Sequence, residues 1–570
     1  MTSGALPIRE ARGQRPVSAV ASAATPVCSS AAAVLGGVAE WWARQAEAAG
    51  LSGRWLDVSW AVSAESPSLA DVAGPTVKLL GSAEEVGQAY VSALPSSERS
   101  KYGRHYTPQP LADELWAMTK RAMGWKRPQP LSGCMVDPAC GAGALLLPVL
   151  REHLGAASRV DAQLAINALP NYIKGIDNDP SAAWLASVLL ASEMLPILAR
   201  TERARRKPLP ALARYGDGLA AASEPVQAMI MNPPYGRVRL ADQERARFSR
   251  SLYGHANIYG LFMAAATESL APGGVLVALV PTSFLAGRYF ENLRAVLAEH
   301  VTLREIGFVA DRSGSFSGVL QETCLVAFSR VRTRKVTVNN INGHISPVAK
   351  VASPRTAAPW LLPRRADDAP VAAAAINMPL TLAAAGWKIS TGPLVWNRRK
   401  HDLAANPSDS SLQILWAADI DGGVIHRDSA RDSIRFLKLR GNDAAVMVLD
   451  QPAVLIQRTT APEQARRLVA AHLSAETLRA WGGRIVVENH VNVARPRVPA
   501  PSLSAEALSR LFATDTIDRV LRCLSGSVAV SAYELEALPL PPAHVLRQWS
   551  QLEGEQFSQA VAIAYSTLLA

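Results

Sequence analysis

Cysteine is scarce: five in 570 residues, with no CxxC pair and no clustered histidines beside them. That scarcity argues against a disulfide-stapled scaffold and for a reducing, cytoplasmic setting. Cys134 and Cys140 lack the company of a zinc site, and the ten histidines are scattered, so no metal is expected. Long apolar runs are missing too. The longest, such as GGVLVALVP, suit buried strands, and no membrane span is expected. No internal repeat or heptad pattern appears. Acidic residues number 48 against 59 Lys plus Arg, a net charge of +11. That excess favours a polyanionic partner without proving one.

Apolar content is 49%, and the length is too great for one ordinary core, so two or three domains are expected. Residues 1–30 are rich in Ala, Ser and Pro and read as a flexible tail. Residues 31–100 carry amphipathic helical patterns such as WWARQAEAAG and read as a helical N-terminal extension. In the segment Gly103–Pro108, Thr107 is placed to cap the next helix, with Pro108 in its first turn. From 101 to 340, short apolar strands alternate with helices of ten or more residues, the pattern of a mostly parallel α/β sheet. One of those helices, NIYGLFMAAATESLAPGG, is expected to end in glycine. Residues 341–374 hold turn formers and prolines and read as a linker. Residues 375–570 form a second region of shorter, less regular elements, closed by a helix in PLPPAHVLRQWSQLEGEQFSQA.

The sharpest signal is Asn232-Pro233-Pro234-Tyr235, directly after the apolar segment VQAMIM. An amide, two rigid prolines and an aromatic ring at a strand's C-terminal end suit a planar ring with an exocyclic amine. The Asn232 side-chain oxygen and the Pro233 carbonyl can accept the amine protons, raising electron density on nitrogen for direct transfer of a methyl group held in line. Tyr235 can stack on the ring, which must be flipped out if it comes from a duplex.

Upstream, Asp137-Pro138-Ala139-Cys140-Gly141-Ala142-Gly143 reads as a strand–loop–helix junction. Gly141 and Gly143 allow close backbone approach to a ligand. The loop is neither GxGxxG nor GxxxxGK[ST], and its leading acid suits a cationic or amino-acid-bearing cofactor better than a phosphate. Asp177, at the end of the next strand, can accept from ribose hydroxyls, with Asp179 competing as a helix cap. Asp217 can accept from an adenine amine. Cys140 as a nucleophile for carbon methylation is a rival, weakened because it sits in the presumed cofactor loop and not in a Pro-Cys pair.

Arg237 and Arg239 follow the tyrosine, where they can meet phosphates beside a flipped base. Arg398, Arg399, Lys400 and His401 form one basic cluster. Arg427, Arg431, Arg435, Lys438 and Arg440 form another, and Arg458, Arg466 and Arg467 follow. Solvated surface is the competing reading for each. Asn489 and His490, between two valine-rich strands, can read bases or make a structural turn.

From Gly103 to the C-terminus, the order of these motifs resembles the gamma-class N6-adenine DNA methyltransferases of bacterial restriction–modification systems. The resemblance implies a Rossmann-like S-adenosylmethionine-dependent domain with a mixed, mostly parallel sheet, followed by an α+β target-recognition domain. It implies S-adenosylmethionine as methyl donor, its methionine end near Tyr106, Thr107, Asp137, Ala139 and Gly141. Asp177 would hold the ribose and Asp217 the cofactor adenine. Asn232, Pro233 and Tyr235 would hold the target adenine in double-stranded DNA. Phe316, in Ser315–Glu322, would cover the base's other face. Arg237, Arg239, Arg398, Arg399, Lys400, Arg458, Asn489 and His490 would contact DNA. No PD…(D/E)xK nuclease pattern is seen, which leaves two expectations open: a cognate restriction endonuclease encoded separately, or an enzyme acting alone in epigenetic marking. Cytosine N4 or RNA adenine methylation, protein-glutamine methylation, and a noncatalytic DNA-binding protein stay open. The resemblance assigns no purpose to residues 1–100.

Overall fold

The computed structural model describes residues 28–67, 76–97, 99, 106–156, 161–220, 224–309, 322–460, 464–524 and 529–566. Most of the expected N-terminal tail, Gly103–His105 and Phe316 with its neighbours lie outside these residues. The chain divides into two compact units, one of residues 1–113 and 127–269, the other of 114–126 and 270–570. The division at 269/270 falls inside the stretch 101–340 that reads as one domain.

The first unit begins with helices α1 (Ser29–Ala48) and α2 (Ala83–Ala93). It continues through β1 (Met135–Asp137), α3 (Leu146–Ala156), β2 (Ile173–Asp177), α4 (Pro180–Ser192), β3 (Ala213–Tyr215), β4 (Val226–Met231) and α5 (Ile258–Ser269). These four strands run parallel in the order β4-β1-β2-β3. The chain therefore moves from β1 to one side through β2 and β3, then returns to pair β4 on the other side. Open parallel sheets bind ligands at such a reversal, outside the strands' carboxyl ends. Asp137 ends β1 and Asn232 follows β4, so the reversal brings the two motifs together.

Helix α4 is apolar all round, and Ser181–Ala191 are all buried. Such a helix needs cover on more than one face. Helices α1 and α2 supply part of it, packing on α4. Uncovered, side chains such as Leu185 and Leu189, both 0% exposed, would each forfeit about 1.5–3 kcal/mol. The N-terminal extension is thus part of the unit's core.

In the second unit, β5 (Leu270–Pro281), β6 (Thr302–Val309), β7 (Thr323–Ser329), β8 (Lys335–Asn342) and β9 (His344–Ala352) line up as β9-β8-β6-β7-β5. Only β6–β8 is parallel; the other three pairings are antiparallel. Helix α5 ends at Ser269 and β5 begins at once, where a helix ending in glycine is expected. Pro272 explains the early stop, because it disfavours helical backbone at Ala271.

The stretch 341–374, expected to be a linker, is packed structure. Asn342 and His344 pair across Gly343 (φ +67°) in a tight hairpin of β8 and β9, and Ala369–Ile376 is helical. Asn-Gly is a hairpin signal as well as a loop former, and here the flanking strands decide. The C-terminal part holds a four-stranded antiparallel sheet, in the order Trp387–Thr391, Val491–Pro496, Ala453–Gln457, Ala470–Leu473, and a five-stranded sheet. Helices Ala505–Ala513 and Asp515–Leu524 pack into the same core as the first of these. The closing helix is two, Ala543–Trp549 and Gly554–Ala564. This is α+β architecture. Among the described residues, no helix is long and apolar enough to cross a membrane.

Candidate functional site

A pocket opens at the carboxyl ends of β1 and β4. Its walls include Val91, Tyr106, Thr107, Asp137, Ala139, Gly141 and Asn232. Sequence reading named all of these except Val91.

The loop after β1 folds around the next strand's end. Gly141 (φ +51°) and Gly143 (φ +86°) take left-handed backbone that side chains disfavour. A Cβ on Gly141 would meet nothing within 4 Å, so that face of the loop is open to a ligand. The Gly141 N–H donates to Asp177 Oδ2 at 2.8 Å, and the Asp179 N–H donates to Asp177 Oδ1 at 2.9 Å. Asp177 is thereby aimed by the loop it serves. Asp179 caps α4, accepting from the Ser181 N–H at 2.9 Å. Asp217 accepts from the Leu219 N–H at 2.9 Å. Beside it, a Cβ on Gly218 would lie 1.7 Å from the Pro138 carbonyl oxygen, so only glycine lets this turn lie against the β1 loop.

Asp137 is buried and accepts from the Ala139 N–H at 3.1 Å. Burial, with the Asp177 charge adding to it, pushes its carboxyl up to about 8. Burial also holds the Cys140 thiol well above its usual range, with the Asp177 and Asp137 charges acting the same way, which removes the thiolate a nucleophile would need. Burial and the Glu84 carboxylate keep the Tyr106 hydroxyl protonated.

Asn232 is held from both ends. Its amide NH2 donates to Thr107 Oγ1 at 3.0 Å, and its oxygen accepts from the Tyr235 hydroxyl at 2.8 Å. The Tyr235 ring meets Tyr259 edge-on at 6.1 Å between centroids. Thr107 is therefore not the expected helix cap: Pro108 is, accepting through its carbonyl from Leu111 and Ala112, while the Thr107 hydroxyl points to Asn232.

The candidate DNA contacts are dispersed. Arg237 and Arg239 are exposed just after Tyr235. Arg398 and Lys400 are exposed, whereas Arg399 between them is engaged with Asp402 at 2.5 Å and Asp443 at 2.8 Å. Arg458 is half-buried and donates to the Asn489 carbonyl at 3.3 Å. With its amide turned to satisfy its neighbours, Asn489 donates to Glu488 and the Leu394 carbonyl, and His490 bonds Glu488. Arg435 and Arg467 are fully buried, Arg435 against Asp419 at 2.8 Å, so neither is solvated surface nor a phosphate contact.

The lining, a buried acid and open glycine backbone, fits a ligand with an ammonium-bearing amino-acid end, and Asp177, bonded to the lining residue Gly141 from outside the pocket, fits a neighbouring ribose. The lining does not resemble a phosphate cradle. Comparison with known proteins points the same way. Residues 221–314, which contain Asn232–Tyr235, match the Eco57I restriction-modification methylase family. The chain is 26% identical over 346 residues to the type II methyltransferase M.PstI of Providencia stuartii, covering 58% of this chain and 68% of that protein. It is 21% identical over 340 residues to M.BsuBI of Bacillus subtilis, covering 56% and 65%. A third relative, M.BanIII of Aneurinibacillus aneurinilyticus, is 30% identical over 235 residues, covering 39% and 38%. In fold, the chain is similar to the type IIL restriction-modification enzyme MmeI (TM-score 0.51, 12% identity, covering 88% of this chain and 79% of that one). The chain is thus similar over much of its length to type II methyltransferases, and over residues 221–314 to a restriction-modification methylase family.

Proposed function

We propose that this protein is an S-adenosylmethionine-dependent DNA methyltransferase of a restriction–modification system, modifying N6 of an adenine flipped out of duplex DNA. The observation that carries this reading is one pocket lined by both Asn232 and the Asp137–Gly141 loop. An amine held at Asn232 is thereby adjacent to whatever the loop binds. Residues 101–340 carry the transfer and 375–570 read the DNA.

The cofactor, when bound, supplies an electrophilic methyl group on sulfur. Asp137, Ala139, Gly141, Tyr106 and Thr107 hold its amino-acid end, Asp177 its ribose and Asp217 its adenine. The Asn232 carbonyl oxygen has two lone pairs, so it can accept an amine N–H while keeping the Tyr235 hydroxyl. With the Pro233 carbonyl accepting the second N–H, electron density would rise on the amine nitrogen, as methyl transfer requires. S-adenosylmethionine would supply the methyl group and depart as the neutral thioether, while the amine held by Asn232 and Pro233 would give up one proton to solvent. Tyr235, which meets Tyr259 edge-on, stacks on the base. Arg237, Arg239, Arg398 and Lys400, each exposed, are the proposed phosphate contacts. A restriction endonuclease encoded separately would be the functional partner.

The test is single-molecule methylation-sensitive sequencing of DNA from a methylation-free host expressing the protein, beside an Asn232→Ala control. N6-methyladenine at one repeated motif, lost in the control, is the expected result. N4-methylcytosine there would reassign the base, and an unmodified genome with soluble protein would reject the reading.

A further inference from the structure

Residues 31–100 lie outside the methyltransferase motifs, yet helix α2 within them runs along the candidate site. A capping box opens the helix, Ser82 N–H donating to Glu85 at 2.7 Å and Glu85 N–H to Ser82 Oγ at 3.3 Å. Glu84 pairs with Arg151 of α3, whose guanidinium also grips Glu193 at 2.6 and 2.9 Å. Gly87 sits where the helix crosses the cofactor loop. A Cβ there would lie 3.0 Å from the Tyr106 ring and 3.3 Å from Ala142. A glycine in mid-helix is unfavourable by about 1 kcal/mol relative to alanine, so close packing is what the position gains.

Positions 87, 90 and 91 share one helix face. Tyr90 is 2% exposed, and its hydroxyl donates to Asp179 Oδ2 at 2.9 Å. Asp179 in turn donates its N–H to Asp177, the carboxylate that also receives the Gly141 N–H. Tyr90 is thus linked through Asp179 to the group read as the ribose anchor. Val91 reaches the pocket itself, beside Tyr106, Thr107, Asp137 and Gly141.

We infer that helix α2 is a wall of the cofactor site, in which Val91 contacts the amino-acid end of S-adenosylmethionine and Tyr90 is a positioning residue acting through Asp179 on Asp177. The inference rests on the methyltransferase reading. It gives the N-terminal extension a binding role besides covering α4.

Truncating the extension would expose α4 and report only on folding, so point variants of the full chain are the test. Isothermal titration compares S-adenosylmethionine, 5′-methylthioadenosine (a neutral thioether that keeps the adenosine and methyl group but lacks the amino acid) and the 2′-deoxy form of the latter. Val91→Phe, which places a ring in the pocket, weakens S-adenosylmethionine at least about tenfold and leaves 5′-methylthioadenosine within about twofold. Val91→Ala, which cannot overpack, weakens S-adenosylmethionine about two- to threefold. Tyr90→Phe weakens S-adenosylmethionine and 5′-methylthioadenosine about fivefold, and the loss shrinks for the 2′-deoxy ligand, because fewer ribose hydroxyls depend on Asp177. Wild-type affinities in both Val91→Ala and Tyr90→Phe overturn the inference. Equal losses for S-adenosylmethionine and 5′-methylthioadenosine in Val91→Phe overturn the placement of Val91. A wild-type chain that binds no S-adenosylmethionine overturns the methyltransferase reading itself.

Discussion

Asp137→Asn separates the stability of this protein from its proposed function. Asp137 is 1% exposed, and burial is the main reason its carboxyl rises from an ordinary value of 3.8 to about 8; the Ala139 N–H opposes the rise and the Asp177 charge adds to it. The folded protein keeps this proton in a range where the unfolded chain has lost it. Stability from the protonated group is therefore fully present below the unfolded value near 3.8 and is lost as pH rises through about 8. Within that window the wild type loses about 1.4 kcal/mol per pH unit relative to a variant that cannot ionise there. The Asn side chain keeps an oxygen for the Ala139 N–H, so little else changes. Urea unfolding of ligand-free protein at pH 5.5 and 7.5 should show the variant gaining about 3 kcal/mol on the wild type between the two. In the same variant, affinity for S-adenosylmethionine should fall, because the carboxyl proposed to meet its ammonium group is gone. A stability difference independent of pH, or one that shrinks as pH rises, would refute the account of Asp137 as a strained acid.

Thr107→Val frees one end of the Asn232 amide and should lower kcat about tenfold, with Thr107→Ser restoring most of it in a DNA methylation assay. Gly218→Ala drives a methyl group into the Pro138 carbonyl, so the thermal midpoint should fall by the equivalent of about 1–3 kcal/mol and cofactor binding should weaken with it. Asp419→Ala leaves Arg435 buried without its carboxylate and should cost about 3–5 kcal/mol in urea unfolding of the whole chain. Arg398→Ala with Lys400→Ala should weaken DNA binding and flatten its salt dependence by about two phosphate contacts, measured as log Kd against log salt. Arg399→Ala, by contrast, should act chiefly on stability, since that side chain is tied to Asp402 and Asp443.

Much of the first unit was legible because its signals are local. A continuous apolar run such as VQAMIM is what a strand buried on both faces requires, and the acid–glycine and Asn-Pro-Pro-Tyr segments sit where such strands end. Reading 341–374 as a linker failed because Asn-Gly and proline mark hairpins as readily as loops, and only pairing partners tell them apart. Basic clusters misled for a similar reason. Arg398 and Arg399 are adjacent in sequence, yet one is exposed and the other locked between two carboxylates that sequence reading never connected to it. The role of α2 left two traces, a glycine inside a helical pattern and an α4 with no polar face to show solvent. Neither trace names its partner.

By itself, the sequence determined the residue types and their order: a buried acid, two glycines, an amide, a tyrosine, each at the end of an apolar strand. Those follow from backbone sterics and hydrophobic pattern, which act over a few residues. Only the tertiary structure decided that Thr107 holds Asn232, that Tyr90 reaches Asp177 through Asp179, and which arginines keep their charge at the surface. These depend on hydrogen bonds and burial between segments separated by up to 125 positions, and no local pattern encodes where such segments meet.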